Sequence, residues 1–255
     1  MPMLLFIIIP LVSLFTRTSL SDFWSTLNQQ QVIQAISLSI FTSLITMLVS
    51  VAFGTPVAYL LSQPRFRFHG LVDTLVDLPY VLPPAVAGIA LLMTFGRRGL
   101  LGGWLADVGL SIPFTTLAVI MAETFIASPF YIKAAAVGFA GIDPELKQAA
   151  ALDGANRWQT FRFVILPLAW ISLVSGCVMT LARALGEFGA TIIFAGNYPG
   201  RTQTMPLAIY IGFELDLNVA LTLSIILICF SFLTLILVKG ILHHQVDHSI
   251  ESDST

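Results

Sequence analysis

Charged residues are scarce in this sequence. Asp, Glu, Lys and Arg make up only 10% of its 255 residues, whereas 56% are hydrophobic. A soluble globular domain carries about 25% charged residues, so a chain of this composition cannot hide its apolar surface in a single core. The composition excludes a soluble domain and indicates a protein that uses membrane lipid as its solvent.

The charge that is present has no dominant sign. The formal net charge at pH 7 is −2, and the sequence contains no basic patch that could neutralise phosphates and release their counterions. No nucleic-acid partner is therefore expected.

Cysteine is almost absent as well. The two cysteines, Cys177 and Cys229, lie in apolar runs, where cysteine usually serves as an inert packing residue. They imply neither a disulfide nor a metal framework. Three histidines near the end of the chain have a loose metal-like spacing that fits a solvated tail better than a metal site: His243, His244 and His248. We expect no metal and no cofactor.

Motifs of catalysis are missing from the chain. There is no G-x-x-x-x-G-K-[ST] sequence, so the chain has no phosphate-binding loop with which to hydrolyse ATP itself. No Ser-His-Asp arrangement is assembled either. We expect no catalytic residues, and a pore rather than an enzyme.

Long apolar segments dominate what is present. A helix of roughly 20 apolar residues crosses a bilayer and satisfies its own backbone there. The sequence predicts an all-α integral membrane protein with about six spans: a marginal first one from Met3 extended through Leu20, then 32–61, 75–96, 112–139, 163–195 and 217–242. Residues 1–30 form an N-terminal span with an external linker, 31–242 the transmembrane domain, and 243–255 a tail.

The distribution of Lys and Arg predicts the orientation. If both termini are cytoplasmic, the inside regions hold more cationic residues than the outside loops, as membrane proteins usually do. The inside residues would be Arg65, Arg67, Lys133, Lys147, Arg157, Arg162 and Lys239, and the outside ones Arg17, Arg97, Arg98 and Arg201. The tail and the polar segment 142–168 are then cytoplasmic.

That polar segment, IDPELKQAAALDGANRWQTFRFVILPL, has the signals of a short helix. Asp143 is placed to cap its N-terminus, and Pro144 fits the first helical position. Glu145 lies at the positive end of the helix dipole. Gly154 is placed to end the helix in a left-handed conformation.

The same segment presents small apolar residues. Leu146, Ala149 and Ala150 recur at helical spacing and predict an apolar face that a partner could approach closely. A second amphipathic turn follows, and Pro167 opens or bends the next span. From the residues alone, a helix resting on lipid headgroups explains the segment as well as a docking site does.

A family resemblance favours docking. The spacing of Gln148-Ala149-Ala150, Gly154, Val164 and Leu166-Pro167 resembles the EAA loop of ABC-importer permeases, with Gln148 where that family usually has Glu and Val164 where it has Ile. The resemblance implies a coupling helix that docks on an ATP-hydrolysing subunit, although a salt bridge from position 148 stays open. The implied contact residues are Asp143, Glu145, Lys147, Gln148, Ala149, Ala150, Asp153, Gly154 and Arg157.

Two further stretches narrow the resemblance. Residues 77–102 and 182–210 closely resemble the corresponding stretches of molybdate permeases of the ModB type. The resemblance as a whole covers about residues 35–240 of the chain. Sulfate permeases share the same arrangement of segments. The resemblance implies the type I architecture of ABC importers, a homodimer with the pathway between two copies, two ATPase subunits, and a periplasmic or extracellular oxyanion-binding protein.

Prolines interrupt one of the predicted spans. Pro79, Pro83 and Pro84 each remove a backbone donor and are expected to bend the helix. A bent helix in a membrane survives where it faces protein or a water-filled cavity. The bend either shapes the bundle or forms a wall or gate of a pathway.

Buried charges mark a second region. Arg183 and Glu187 lie four residues apart and are expected to neutralise one another or to reach a second copy, although Arg183 could also contact an anion directly. Glu123 is expected to make a polar contact or to face the pore. The pathway candidates are Pro83, Pro84, Arg183, Glu187, Phe188 and Asn197.

Three other functions remain open at this stage. Within the same class, the chain could serve sulfate, thiosulfate or tungstate. A secondary transporter driven by an ion gradient would need an unpaired carboxylate in the membrane, for which Glu123 is the candidate. A membrane receptor or scaffold would leave the polar segment unexplained.

Overall fold

The computed structural model describes residues 2–63 and 66–252, without the side chains of 238, 239 and 241–252. Arg65 and the side chains of Lys239 and of the tail histidines therefore lie outside the described residues. In the described part the chain forms fourteen α-helices and one π-helical turn (Phe161–Ile165): α1 Pro2–Arg17, α2 Leu20–Leu27, α3 Gln30–Leu61, α4 His69–Val81, α5 Pro84–Phe95, α6 Gly102–Asp107, α7 Thr116–Ala140, α8 Pro144–Leu152, α9 Arg157–Thr160, α10 Leu166–Leu168, α11 Trp170–Leu185, α12 Gly189–Phe194, α13 Met205–Leu215 and α14 Leu217–Ser252.

Three continuous helices are long and apolar enough to cross a membrane. They are α3, α7 and the Leu217–Leu237 part of α14, and they confirm three of the predicted spans. Together with α11, helices α3 and α7 pack around a core that includes Tyr131 and Phe139.

Three bent helix pairs correspond to the other predicted spans. The bends are 79° between α1 and α2, 114° between α4 and α5, and 71° between the segment 157–168 and α11. Counting each bent pair as one crossing gives six spans. The predicted number is therefore reached with three broken crossings rather than six straight helices.

The sharpest bend follows from the prolines. Helix α4 ends at Val81, and α5 begins at Pro84 with Pro83 as its N-cap residue. Neither proline has an amide hydrogen to continue a helical ladder across the junction, so the predicted bend is confirmed here. Pro79 differs, because it lies inside α4 without ending it.

The predicted span 163–195 is broken twice. Helix α10, which contains Pro167, ends at Leu168, and α11 starts at Trp170 in a new direction. Helix α11 then ends at Leu185, and α12 starts only at Gly189. The first break agrees with the bend expected at Pro167. The second break was not predicted, and a glycine lies at each end of it, Gly186 and Gly189.

The first helix is shorter than the predicted first span. Helix α1 ends at Arg17 rather than Leu20, and Ser19 caps α2 by accepting a hydrogen bond from the Asp22 amide at 3.1 Å. Helix α13 was not predicted, since no long apolar segment lies between residues 195 and 217.

Close packing of the long helices depends on small residues. A side-chain carbon added at Gly54 of α3 would lie 2.9 Å from Ile132 of α7. One added at Gly176 of α11 would lie 3.0 Å from Ala134, which is also on α7. Small residues at such contacts let helix backbones approach within a membrane. Helices α3, α7 and α11 therefore pack closely against one another.

Candidate functional site

The polar segment 142–168 begins with the helix that the sequence predicts. The Asp143 carboxylate accepts a hydrogen bond from the Glu145 amide at 2.8 Å, and Pro144 occupies the first helical position. The predicted N-cap is confirmed. It supplies an acceptor to an amide that would otherwise lack one at the start of α8.

The end of α8 is also as predicted. Gly154 has φ +86°, and the Ala155 amide donates back to the Ala150 carbonyl at 3.0 Å, which closes the helix. Within the described part of the chain, no atom lies within 4 Å of a side-chain carbon added at Gly154. Glycine is therefore favoured here by its backbone conformation and not by lack of space.

A second capped turn follows directly. The Asn156 side chain accepts from the Gln159 amide at 2.9 Å, while the Gln159 side chain accepts from the Asn156 amide at 2.8 Å. This reciprocal capping box fixes the start of α9. Phe161, which follows α9, packs against Tyr59 of α3 and Phe139 of α7, with ring centroids 5.2 and 5.9 Å apart. The segment is therefore held against the ends of both long helices.

Most of the candidate coupling residues face away from the bundle. Lys147 differs, because its Nζ lies 3.4 Å from the Phe139 carbonyl oxygen and points back towards α7. Ala150 is half-buried, as Lys147 is. The exposed ones are Asp143, Glu145, Gln148, Ala149, Asp153, Gly154 and Arg157.

Sequence reasoning missed the most exposed apolar residue of this surface. Leu152, the last residue of α8, is 88% exposed, and Leu146 is 48% exposed. Leu152 continues the spacing of Ala149 by three residues, which could have identified it. Together with the exposed Ala149, these two leucines form an uncovered apolar surface on a well-capped helix.

The two helix breaks near the pathway candidates meet in space. A side-chain carbon added at Gly189 would lie 2.8 Å from Cβ of Pro84, and one added at Gly88 would lie 2.8 Å from the Ala190 carbonyl oxygen. Only a hydrogen atom fits at these two glycines. The break before α5 and the break before α12 therefore lie side by side.

Helices α5 and α12 run in the same direction from these breaks. Their first turns touch at Pro84 and Gly189, and their last residues, Phe95 and Phe194, have ring centroids 6.4 Å apart. Both helices thus start at the meeting breaks and end together, at the same side of the protein.

An ion pair lies at the second break. Nη2 of Arg183 is 2.8 Å from Oε2 of Glu187, whose side chain is 1% exposed. Oε1 of Glu187 accepts from the Ala190 amide at 2.9 Å. The predicted pairing is confirmed within one chain, although Glu187 lies in the break after α11 rather than on the helix.

The remaining pathway candidates divide into two groups. Phe188 is adjacent to the ion pair, and its ring centroid is 5.3 Å from that of Tyr210 on α13. Asn197 lies beyond the other end of α12, where its Nδ2 is 3.4 Å from the Leu207 carbonyl oxygen. The structure brings Pro83, Pro84, Arg183, Glu187 and Phe188 together and leaves Asn197 apart.

Glu123 is fully engaged within the bundle. Its Oε1 accepts from Thr42 at 2.9 Å and its Oε2 from Thr46 at 3.0 Å, and both threonines lie one turn apart on α3. All three side chains are buried. The predicted polar contact is confirmed.

A second charged cluster was not predicted. Nζ of Lys133 on α7 lies 2.6 Å from Asp73 and 2.8 Å from Asp77, which are one turn apart on α4. The distribution of cationic residues predicts that Lys133 lies in an inside region, but it does not predict a partner. Two aspartates at i, i+4 in an apolar helix could have indicated that a cation faces them.

Comparison with known proteins gives a family match. Residues 50–249 match the model of the binding-protein-dependent transport system inner membrane component family. The chain is 40% identical over 227 residues to the molybdenum transport system permease protein ModB of Mycobacterium tuberculosis, covering 88% of this chain and 85% of that protein. It is 37% identical over 234 residues to a probable transport system permease protein, NifC, of Clostridium pasteurianum, covering 91% and 82%.

A sulfate relative and a solved structure are also similar. The sulfate transport system permease protein CysT of Escherichia coli is 32% identical over 235 residues, covering 91% of this chain and 85% of that one. A chain of a bacterial alginate ABC transporter, crystallised with an alginate pentasaccharide-bound periplasmic protein, has a TM-score of 0.70 at 18% identity, covering 94% and 88%. The second similarity concerns the fold alone.

Proposed function

The chain belongs to the family of binding-protein-dependent transport system inner membrane components, and from this we propose that it is the permease subunit of an ATP-driven molybdate importer. The observation that carries the proposal is the segment 142–168. It presents two capped helical turns, fixed to the ends of α3 and α7, with Leu146 and Leu152 exposed. Such a surface is suited to a partner that pushes on the bundle.

The choice of substrate class follows the relatives. Proteins named for molybdenum transport are 40% identical to this chain, whereas the sulfate permease is 32% identical over a similar length. We therefore propose molybdate, with tungstate, sulfate and thiosulfate as the alternatives. All are tetrahedral oxyanions that carry two negative charges, so one pathway could pass any of them.

The proposed assembly contains several chains. We propose a homodimer in the inner membrane, with two ATPase subunits on the cytoplasmic side and an oxyanion-binding protein on the other. Both chain termini and the segment 142–168 are then cytoplasmic, in accord with the distribution of cationic residues. Membrane lipid surrounds the exposed apolar helices, and no nucleic-acid partner is involved.

The proposed mechanism couples the two faces of the membrane. Closure of the ATPase pair on nucleotide binding moves α8 and α9, which are fixed to α3 and α7 through Phe161. The transmembrane bundle has two arrangements, and the nucleotide shifts their populations. The meeting breaks at Pro83–Pro84 and Glu187–Phe188 are the places where the pathway opens and closes.

A secondary transporter is the main alternative of a different class. It needs a carboxylate that is free to take up and release an ion, and Glu123 was the candidate. Both carboxyl oxygens of Glu123 accept hydrogen bonds from threonines of α3. This arrangement favours a structural role for Glu123 and supports the ATP-driven proposal.

The function can be tested in proteoliposomes that contain the permease and its ATPase. We expect uptake of molybdate, and of tungstate nearly as well, when ATP is inside and the binding protein is outside. A wide, transient pathway discriminates weakly between similar oxyanions, whereas a binding protein can surround one with fixed donors. Exchange for a compatible sulfate-binding protein should therefore shift uptake towards sulfate.

Three results would contradict the proposal. Uptake that follows an imposed ion gradient without ATP would indicate a secondary transporter. Preference for sulfate with every binding protein would assign the chain to a sulfate system. Absence of uptake for all four oxyanions would favour a receptor or scaffold.

A further inference from the structure

A pocket of about 510 Å³ lies where α5 and α12 end, and two arginines line it. Arg97 follows the C-cap residue of α5, and Arg201 lies in the loop between α12 and α13. No acidic residue lines the pocket, and neither arginine forms an ion pair with a residue whose side chain the structure describes. The volume lies in the range of roughly 300–1,000 Å³ that is typical of small-molecule sites.

The pocket is on the opposite face of the protein from the coupling segment. Thr115, which lines the pocket, immediately precedes α7, and α8 follows the other end of α7. A helix rises about 1.5 Å per residue, so the 25 residues of α7 separate the two by about 37 Å. In the proposed orientation the pocket opens to the outside.

The same pocket leads to the meeting helix breaks. Its lining residues Leu92 and Gly96 belong to the C-terminal part and the C-cap of α5, and the other end of that helix is at Pro84. Twelve residues span about 18 Å. An ion in the pocket would therefore lie about the length of α5 from the break where Pro84 contacts Gly189.

The loop that carries Arg201 is held rigidly. The Tyr198 carbonyl oxygen accepts from the amides of Arg201, Thr202 and Gln203 at 3.1, 2.9 and 3.0 Å. The Arg201 carbonyl oxygen accepts from the Thr116 hydroxyl at 2.9 Å. Thr202 and Gln203 are buried, so the backbone at Arg201 is fixed before any ligand arrives.

A strained residue forms another wall of the pocket. Phe114 has φ +62°, a left-handed conformation that is costly for a bulky side chain. Its amide donates to the Phe194 carbonyl oxygen at 3.3 Å, and its ring lies edge-on to Tyr198, with centroids 6.3 Å apart. Such strain persists where the surroundings enforce it and is common at binding sites.

We propose that Arg97 and Arg201 form an entry site for the divalent oxyanion that is transported. This inference rests on the proposed function and adds the point at which the anion first contacts the permease. Guanidinium groups present planar pairs of donors that match oxyanion edges, and Ser111 adds an exposed hydroxyl to the lining. Both arginines are exposed, so water and salt weaken their attraction for the anion. Weak binding suits a site that must release the anion inward.

A small anion fits the observations better than an acidic protein surface does. The two arginines line one concavity, and a cavity of this size holds a tetrahedral ion with its water. Arg98, by contrast, is exposed in the same loop as Arg97 but does not line the pocket. This neighbour provides a matched control for charge on the outer surface.

The test compares five variants in proteoliposomes with the ATPase and the molybdate-loaded binding protein. At saturating binding protein, we expect maximal uptake to fall about tenfold in the double variant Arg97→Gln/Arg201→Gln and about threefold in each single one, because local attraction of the ion is lost. Arg98→Gln should leave the rate unchanged. The double variant Arg97→Lys/Arg201→Lys should recover most of the uptake, because it keeps the charge.

Two results would overturn the entry site and leave the proposed function intact. Full uptake in the double variant would show that the arginines do not receive the anion. Unchanged maximal uptake with a higher half-saturating concentration of binding protein would show that they contact that protein instead. A wild-type complex that moves no oxyanion would overturn the proposed function, and the entry site with it. Thermal midpoints equal to wild type are expected for all variants, since both side chains are exposed.

Discussion

Arg183 and Glu187 form an ion pair across the end of helix α11, with 2.8 Å between Nη2 and Oε2. The two partners differ in burial: the Glu187 side chain is 1% exposed, whereas that of Arg183 is 29% exposed. Glu187 also accepts from the amide of Ala190 in the first turn of α12. The carboxylate therefore joins the helix before the break to the helix after it.

This difference predicts unequal effects of substitution. Arg183→Ala leaves a buried carboxylate with one amide donor, whereas Glu187→Ala leaves a cation that can still reach water. We expect Arg183→Ala to lower the stability of the assembled complex by about 2 kcal/mol or more, and Glu187→Ala by less. The double variant should be more stable than the sum of the single losses predicts. Thermal midpoints of the complex in detergent measure this, and strictly additive losses would rule out the pair.

Backbone conformation at Gly154 should control coupling. Gly154→Val forces a β-branched residue into φ +86° at a cost of about 1–2 kcal/mol. Asparagine adopts left-handed backbone conformations more readily, so Gly154→Asn should cost less. We expect the valine variant to insert but to lose most of the ATP hydrolysis stimulated by the loaded binding protein, and the asparagine variant to keep it.

Gly109 supplies the control for this experiment. Gly109 has φ +74° and, like Gly154, no atom of the described residues within 4 Å of an added side-chain carbon. It lies between α6 and the start of α7, whereas the coupling segment follows the other end of α7. Gly109→Val carries the same strain and should leave ATPase stimulation intact. Equal losses in both valine variants would mean that strain alone, and not docking, explains the defect.

The exposed leucine of α8 should be an anchor for the ATPase. Leu152 is 88% exposed, so Leu152→Asp should leave the fold unchanged. The variant loses the proposed apolar contact with the ATPase, and we expect less ATPase to co-purify with it. Leu100, which is 87% exposed in the loop after α5, is the matched control. If Leu100→Asp weakens co-purification as much as Leu152→Asp does, Leu152 is not at the interface.

The threonines around Glu123 should contribute stability. Thr42→Val and Thr46→Val each remove one hydroxyl donor from a buried carboxyl group at nearly constant shape, at a cost of about 1–3 kcal/mol each. Thr94→Val is the control, because that hydroxyl bonds only to the Ala90 carbonyl of its own helix. Thermal unfolding of the purified permease measures the difference. Midpoints of the Thr42 and Thr46 variants that match the Thr94 control would contradict the structural role.

The cluster at Lys133 should depend on salt. Its side chains are 31–45% exposed, so water screens the attraction and each pair is worth about 1 kcal/mol or less. Lys133→Met leaves Asp73 and Asp77 facing each other without a cation and should cost more than Asp73→Asn. The gap between these variants should narrow as the salt concentration rises. A gap independent of salt would indicate that packing rather than charge holds α4 against α7.

The sequence alone predicted what depends on neighbouring residues. The caps at Asp143 and Gly154, the bend at Pro83–Pro84 and the helical, membrane-embedded class all follow from local backbone chemistry and composition. The Arg183–Glu187 pair also lies within one helical turn. In each case the interacting groups are within about five residues, so one short stretch of sequence contains both of them.

The tertiary structure decided what depends on distant residues. The contact of Pro84 with Gly189, the cluster of Lys133 with Asp73 and Asp77, and the pocket shared by Arg97 and Arg201 each join segments separated by more than fifty positions. The break after Leu185 was missed because isolated glycines are tolerated within apolar helices, and the contact of Gly189 with Pro84 beside the break joins distant parts of the chain. Helix breaks and charges can be read along the chain, but which of them meet is set by how the helices pack, since apolar faces in lipid do not specify their neighbours.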